Sequence, residues 1–166
     1  MSKQRSGLFS GTKGSKLGRI IPGQEGVVTG VRSRTLGRNM LKAMGVSNHK
    51  WSGYQAQHII PVEMKNHPVL KRIGMDLDDA NNGIFLRIPG KDVSMMSRHR
   101  GYHAAYSKFV RQELDKISLS SDVQTIQRQV FTLQQRLKKL QSSGLPLYSS
   151  AGSNVGLWKK YYNKLK

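Results

Sequence analysis

The chain has 166 residues, enough for one compact domain with extensions, and it contains no cysteine. Disulfide bonds, thiolate zinc sites and cysteine nucleophiles are therefore excluded, so a bound metal must be held by His, Asn, Gln, Asp or Glu. The formal charge of +19, from 28 Lys and Arg against 9 Asp and Glu, exceeds what solubility requires and predicts a polyanionic partner.

The first predicted elements are short. Residues 1–30 are rich in Gly, Ser and Lys and show no apolar period, so we expect a flexible basic leader. A short helix is predicted over residues 36–44, where apolar side chains fall on one helical face before a glycine. Residues 56–61 then have the apolar character of a strand, and residues 67–73 predict a second short helix that also ends at a glycine.

The second half of the chain predicts one more strand and longer helices. The strand is expected over residues 84–88, after an Asp-rich loop and an Asn-Asn-Gly turn. The next helix is expected to begin near Ser97, because serine is a good N-cap. A long helix follows over residues 123–140, and its heptad-like apolar seam predicts packing within a monomer, since it spans under three heptads. A Gly/Pro/Ser-rich linker precedes a basic, aromatic tail at residues 157–162.

Four polar residues near these elements can build a one-metal phosphodiesterase site. His58 lies beside the first strand and offers a general base, and Asn82 precedes the second strand and offers a positioning amide. His99 and His103 are four residues apart near the start of the predicted helix, which would place them one turn apart and close enough to share one ion. Few other functions need all of these features together.

Several cations are candidates for contact with nucleic acid. Arg98 and Arg100 flank the first helical histidine and are candidate phosphate clamps, although an arginine on a basic surface is ordinarily only solvated. Lys159 and Lys160 lie among aromatic residues that either stack on bases or dock on the domain. His67 precedes a proline at a predicted helix start, and we expect it to be structural.

The order of these motifs resembles that of the AHH nucleases of the HNH/endonuclease VII group. These are His-Me finger toxin domains, often found at the C-terminal ends of bacterial polymorphic toxins and secreted effectors. The resemblance rests on residues 34–40, the Gln-Ala-Gln-His-Ile-Ile-Pro segment at 55–61, residues 70–86 and residues 99–106. It implies an α+β fold with a His-Me finger (ββα-metal) core and flanking helices, mostly helical overall. The long heptad-like helix and the basic tail are not accounted for by it.

The resemblance implies a domain division and an activity. We expect the flexible leader at residues 1–30, a nuclease core at residues 31–120 and a helical, basic extension at residues 121–166. The activity is metal-dependent hydrolysis of DNA, in which His58 takes a proton from the attacking water and Asn82 braces a loop or orients the imidazole. The alternative for Asn82 is that it is only a turn residue. Because the charge makes binding depend on phosphates, little sequence preference is expected. RNA remains an alternative substrate.

One position departs from the family pattern. Where the family has Ala-His-His, this chain has Ala56-Gln57-His58, and the resemblance makes the replaced histidine a metal ligand. An amide oxygen is a poorer ligand than imidazole for zinc or nickel, so we expect one divalent ion, with Mg2+ or Mn2+ favoured over Zn2+ or Ni2+. Three interpretations stay open: an active enzyme that prefers Mg2+ or Mn2+, a weakened enzyme, or an inactivated variant whose histidine was changed deliberately. A competing class is a non-catalytic module that only binds nucleic acid.

The resemblance also implies a biological role. The chain is expected to be a bacterial toxin or effector used in competition, with an acidic immunity protein as its partner. No apolar run is long enough to span a membrane and the first residues do not form a secretory signal, so we expect no membrane partner. Delivery from the bacterial cytoplasm would then use a specialised secretion machine. A structural, ribosome-like protein is the remaining alternative, because basic charge reports on association and not on chemistry.

Overall fold

The computed structural model describes residues 19–87, 103–148 and 152–166. These residues form a two-stranded sheet and five α-helices, in the order α1 (Ser33–Ala43), β1 (Tyr54–His58), α2 (Pro68–Ile73), β2 (Gly83–Arg87), α3 (Ala104–Asp115), α4 (Val123–Ser142) and α5 (Val155–Asn163). The predicted α+β class is confirmed by this arrangement. Within the described ranges, no helix has both the length and the apolar character needed to cross a membrane.

The sheet is an antiparallel pair whose outer face is covered by α1. Tyr54 pairs with Arg87 at one end of the pair, and His58 pairs with Gly83 at the other. Helix α1 approaches so closely that a Cβ atom on Gly83 would come within 2.3 Å of the sulfur of Met40. A glycine at this position therefore lets the helix cover the end of the sheet at which His58 lies.

Helix α2 is fixed at both ends by residues suited to those positions. His67 is its N-cap, and the Nδ1 atom accepts a hydrogen bond from the Val69 N–H at 3.1 Å. The other ring nitrogen of His67 lies 2.7 Å from an oxygen of Asp115 in α3. Gly74 ends the helix with a φ of 66°, a left-handed conformation that favours glycine. The contacts of His67 are structural, as its place before a proline predicts.

The apolar core lies between the sheet, α2 and the three C-terminal helices. In α4 the heptad-like seam is buried, with Ile126, Val130 and Leu137 fully inside, which confirms intramolecular packing of this face. In the tail, Trp158 and Tyr162 are also buried and their rings contact Phe109. Of the two alternatives for the aromatic tail, docking on the domain therefore applies to these two rings.

Three buried glutamines, which we call the glutamine row, follow each other at seven-residue intervals along α4. They are Gln127, Gln134 and Gln141, and each bonds to a different part of the chain. The side-chain amide of Gln134 donates to the oxygen of the Asn82 side chain at 3.1 Å, and that of Gln141 donates to the Tyr106 hydroxyl at 2.7 Å. These bonds tie α4 to specific partners, although Oε1 of Gln134 and Oε1 of Gln141 are buried without a hydrogen bond among the described residues.

The first described residues are packed on the domain, which corrects the expectation of a flexible leader for residues 19–30. The side-chain oxygen of Gln127 accepts hydrogen bonds from the N–H groups of Ile20 and Ile21, at 2.9 and 3.2 Å. The Ile21 side chain is buried in the core. Further along, Thr29 forms a parallel bridge with Asp76. The division of the chain into three domains stays a prediction.

Candidate functional site

His58 is the last residue of β1, where the strand enters the core. Its side chain is mostly buried, with 8% of the residue exposed, and the following residues Ile59 and Ile60 are fully buried. Successive side chains of a strand face opposite sides, so every second residue shares a face. His58 therefore lies on the same face as Ala56, which packs against α1. The strand therefore holds the imidazole under α1 with only a small exposed edge.

The imidazole of His58 is oriented by a carboxylate. Its Nε2 atom lies 2.7 Å from Oδ1 of Asp78, which is also buried. A carboxylate that is ionised can only accept hydrogen bonds, so the proton of this pair belongs on Nε2. The Nδ1 atom then keeps its lone pair and can accept a proton. This is the arrangement in which a carboxylate fixes the tautomer of a general base.

Asp78 itself is held by backbone and side-chain contacts. Both of its carboxylate oxygens accept the N–H of Arg32 at 3.2 Å, and its carbonyl oxygen accepts the side-chain amide of Asn39 at 2.8 Å. Its own N–H donates to Oδ1 of Asp76 at 3.0 Å. In the adjacent residue, burial raises the pKa of the Asp79 carboxyl, against the opposing effect of the Asn81 N–H. The Asp-rich loop thus presents one carboxylate in a fixed position.

The Asp-rich loop is visible in the sequence, but the sequence did not assign Asp78 a role. The available signal was the rarity of acidic residues, because the chain has only 9 of them and this loop holds several. A separation of 20 residues from His58 gives no local pattern that pairs the two side chains. The pairing is produced by the fold.

Asn82 is fully buried and uses its whole side chain as a brace. Its amide donates to the carbonyl oxygens of Ile60 and Leu77 at 3.1 and 2.9 Å. Its oxygen accepts the N–H of Ile60 at 2.8 Å and the side-chain amide of Gln134. These four bonds join the segment after β1 to the loop before β2. Of the roles considered for Asn82, bracing of the loop is the one that its hydrogen bonds match.

Helix α3 is fastened to the same segment by Tyr106. The Tyr106 hydroxyl donates to the carbonyl oxygen of Ile59 at 2.6 Å and accepts from Gln141. Burial raises the pKa of the Tyr106 phenol well above its ordinary value, which keeps the hydroxyl available as a donor. The start of α3 is thus fixed beside the residue that follows His58.

The predicted helical histidines are only partly described. Helix α3 begins at Ala104, with His103 as its N-cap residue, which corrects the expected start near Ser97. The ring of His103 stacks on Tyr148, with centroids 4.6 Å apart. His99, and with it the candidate phosphate clamps Arg98 and Arg100, lies outside the described residues.

Gln57 occupies the position before His58 and is likewise buried. Its amide nitrogen lies 3.4 Å from the carbonyl oxygen of His58, a long hydrogen bond. Because neighbours on a strand face opposite sides, the Gln57 side chain leaves β1 on the face away from His58. A ligand held by Gln57 would approach the strand from that face.

A metal site is not completed within the described ranges. There, no group of three or more His, Cys, Asp or Glu side chains could hold an ion. Gln57 and His103 are the described members of the predicted ligand set, and an amide oxygen and an imidazole nitrogen are donors that divalent ions accept. The remaining ligand, His99, lies outside, so the ligand set stays a prediction.

The candidate cations of the tail lie in α5. Lys159 and Lys160 are exposed, and the Lys160 ammonium lies 5.6 Å from the centre of the Tyr161 ring. Exposure leaves both ammonium groups accessible to an anionic ligand. Their role in binding nucleic acid stays a prediction.

One comparison with known proteins gives a match. A family model described as a nuclease family of the HNH/ENDO VII superfamily with conserved AHH matches residues 38–143. No curated protein and no solved structure gives a significant match to the chain. The matched range includes α4, which the sequence analysis placed outside the resemblance. The hydrogen bond from Gln134 to Asn82 explains why that helix belongs with the site.

Proposed function

We propose that this chain, which belongs to the AHH nuclease family of the HNH/ENDO VII superfamily, is a metal-dependent DNA endonuclease whose general base is His58. The observation that carries the proposal is the 2.7 Å contact between His58 and Asp78 at the end of β1. Hydrogen bonds occupy both ring nitrogens of the structural His67, whereas the described bond of His58 uses Nε2 alone, and a general base needs one nitrogen kept without a proton.

The proton transfer uses the nitrogen that does not face Asp78. A water molecule attacks phosphorus, and its proton passes to Nδ1 of His58. The proton on Nε2 stays there, hydrogen-bonded to the Asp78 carboxylate. The bond from phosphorus to the departing sugar oxygen breaks, and its electron pair stays on that oxygen, which takes a proton from solvent. The exposed edge of His58 provides the path for water. Asp78 acts as a positioning residue, because it touches the imidazole and not the substrate.

The proposal includes one divalent ion near the end of β1. A divalent ion, when bound, neutralises charge on the phosphate and on the departing oxygen. The candidate ligands are His99, His103 and Gln57, and the amide of Gln57 favours Mg2+ or Mn2+ over Zn2+ or Ni2+. Gln57 also supports a second candidate function. If this replacement removes an essential ligand, the chain is a disabled nuclease that still binds nucleic acid.

The charge of the chain supports a substrate with a phosphate backbone. With a formal charge of +19, contacts to phosphates dominate binding, and such contacts carry no information about bases. We therefore infer cleavage with little sequence preference, with DNA as the favoured substrate and RNA as the alternative. The same charge supports an acidic immunity protein as partner, in a toxin made in a bacterial cytoplasm and delivered by a specialised secretion machine.

The proposal is tested by nicking of supercoiled plasmid. The unmodified chain, His58→Ala and Gln57→His are assayed with Mg2+, Mn2+, Ni2+ and Zn2+, with a chelator control. We expect nicking with Mg2+ or Mn2+ that falls about a hundredfold or more in His58→Ala, the usual contribution of a general base. We expect Gln57→His to increase activity with Ni2+ and Zn2+.

Two results would contradict an active enzyme. If the unmodified chain binds plasmid without cutting it in any ion while Gln57→His cuts, the chain is a disabled nuclease. If neither variant cuts DNA or RNA, the chain is a binding module.

A further inference from the structure

We propose that a basic, aromatic groove at the start of β1 binds a single-stranded segment of the substrate next to the cleaved phosphate. The groove has a volume of about 700 Å3 and lies between α1 and the loop that leads into β1. The residues that carry the argument are Arg34, Arg38, His49, Lys50, Trp51 and Tyr54. The inference rests on the proposed function, since it names the form of nucleic acid that reaches the same site.

The cations of the groove are available to an anion. Arg34, Arg38 and Lys50 are all exposed, and the groove is lined by no Asp or Glu among the described residues. None of the ion pairs in the described part of the chain involves these cations. These cations therefore face solvent, where they can bind the phosphates of a nucleic acid.

The Trp51 ring of the groove is positioned before any ligand binds. A Cβ atom on Gly37 would lie 2.7 Å from the Trp51 ring, so the ring rests directly on the backbone of α1. Its other neighbour is Phe85, with centroids 5.7 Å apart. Tyr54 is 44% exposed at the first position of β1. Rings among cations are typical of surfaces that stack unpaired bases, whereas paired bases keep their faces inside a duplex.

The groove and His58 lie within reach of one strand of nucleic acid. Tyr54 and His58 are the two ends of β1, four residue steps apart, or about 13 Å at the rise of a strand. Stacked nucleotides advance about 3.4 Å each, so the distance corresponds to roughly four nucleotides. A strand whose phosphate meets His58 can therefore place nearby unpaired bases on Trp51 and Tyr54.

The charge of the groove is tested by binding in a His58→Ala background, so that no strand is cut. The anisotropy of a labelled 12-nucleotide single strand is measured with Arg34→Ala/Arg38→Ala and with Arg111→Ala/Arg128→Ala. The control pair removes the same charge from exposed positions on α3 and α4. We expect about tenfold weaker binding from the groove pair, with a salt slope reduced by about two, against about twofold from the control. Equal losses from both pairs would overturn the groove.

The preference for a single strand is tested by Tyr54→Leu, which keeps an apolar side chain and removes the ring. We expect single-strand affinity to fall about tenfold, the effect of one lost base stack, and duplex affinity to change less than twofold. The fluorescence of Trp51 should be quenched by the single strand, while the buried Trp158 supplies a constant background. Equal effects of Tyr54→Leu on both forms of DNA would overturn the assignment to unpaired bases.

The binding assay separates this inference from the nuclease proposal. If plasmid is never cut but Arg34→Ala/Arg38→Ala selectively weakens binding, the groove proposal holds and the nuclease proposal fails. If plasmid is cut and the two arginine pairs behave alike, the enzyme stands and the groove does not. Thermal melting of each variant confirms that the fold is kept, because all four arginines are exposed.

Discussion

The two ends of β1 differ in how their polar groups are used. At His58 the side chains are buried and bonded to fixed partners, and Asp78 and Asn82 each accept or donate at several atoms. At Tyr54 the neighbouring cations are exposed, and the described ion pairs do not include them. Orienting a base therefore requires fixed hydrogen-bonding partners, whereas attracting a polyanion requires only available charge.

The difference predicts two kinds of response to mutation. A change at the buried end leaves polar groups without partners and costs several kcal/mol, since water cannot replace the lost bond. A change of one cation at the exposed end removes part of the electrostatic attraction to the ligand. The contributions of separate cations to binding are additive, and salt screens them.

The largest effect is expected for Asn82→Ala. The substitution leaves polar atoms of Ile60, Leu77 and Gln134 without their partner, and we expect the free energy of unfolding to fall by about 3–4 kcal/mol. Urea denaturation measures the loss. The exposed neighbour provides the control, since Asn81→Ala should change stability by less than about 0.5 kcal/mol. Equal costs for the two variants would show that Asn82 does not brace the loop.

The next effect is expected for Asp78→Asn, which keeps the shape of the side chain. An amide that donates to Nε2 moves the proton of His58 to Nδ1 and removes the base, so cleavage should fall about a hundredfold, or about 2.7 kcal/mol. The control is Asp115→Asn, because Asp115 contacts His67 at the same distance of 2.7 Å away from the site. Plasmid nicking at matched folded fractions measures both. A similar loss in Asp115→Asn would argue against tautomer control.

A smaller effect is expected for Tyr106→Phe. This change removes the hydroxyl that bonds to Ile59 and Gln141, and burial without replacement partners should lower the free energy of unfolding by about 1–3 kcal/mol. Urea denaturation again measures it. Tyr161→Phe, at a half-exposed ring, should cost less than about 0.5 kcal/mol. If Tyr106→Phe is equally mild, the hydroxyl does not fasten α3 to the site.

The smallest effect on stability is expected for Gly37→Ala, at the exposed end. Alanine favours a helix by about 1 kcal/mol over glycine, but its Cβ would displace the Trp51 ring, so the net change should stay within about 1 kcal/mol. The emission maximum of Trp51 should shift towards that of a solvated ring. An unchanged spectrum would mean that Gly37 does not seat the ring.

Much of the fold follows from local sequence signals. The apolar segment at residues 56–61 predicts a strand, and the structure has one that begins two residues earlier and ends at His58. The glycine after residue 73 marks the end of α2, and the seam of α4 predicts its buried face. These features depend on neighbours within a few residues, so periodicity and end signals suffice. Residues 19–30 pack on the domain instead of forming a flexible leader. The sequence did not predict this packing, because isolated apolar residues such as Ile21 have no period to detect.

The candidate site was predicted only at the residues whose chemistry is distinctive. His58 and Asn82 stand next to strands, which the sequence indicates, and the structure places both at the end of the sheet. Asp78 was missed as the partner of His58, since a loop decides which of several neighbouring acids meets the imidazole. The glutamine row was visible as a seven-residue spacing, but its partners lie far away along the chain.

The bond between Gln134 and Asn82 joins residues 52 positions apart, and this order has a consequence for synthesis. A ribosome makes the strand with His58 and the Asp-rich loop well before it makes the middle of α4. The loop that supports the imidazole therefore stays incomplete on the nascent chain until α4 has emerged. One of the four hydrogen bonds of the Asn82 side chain therefore forms only late in synthesis, when most of the basic chain has already been made.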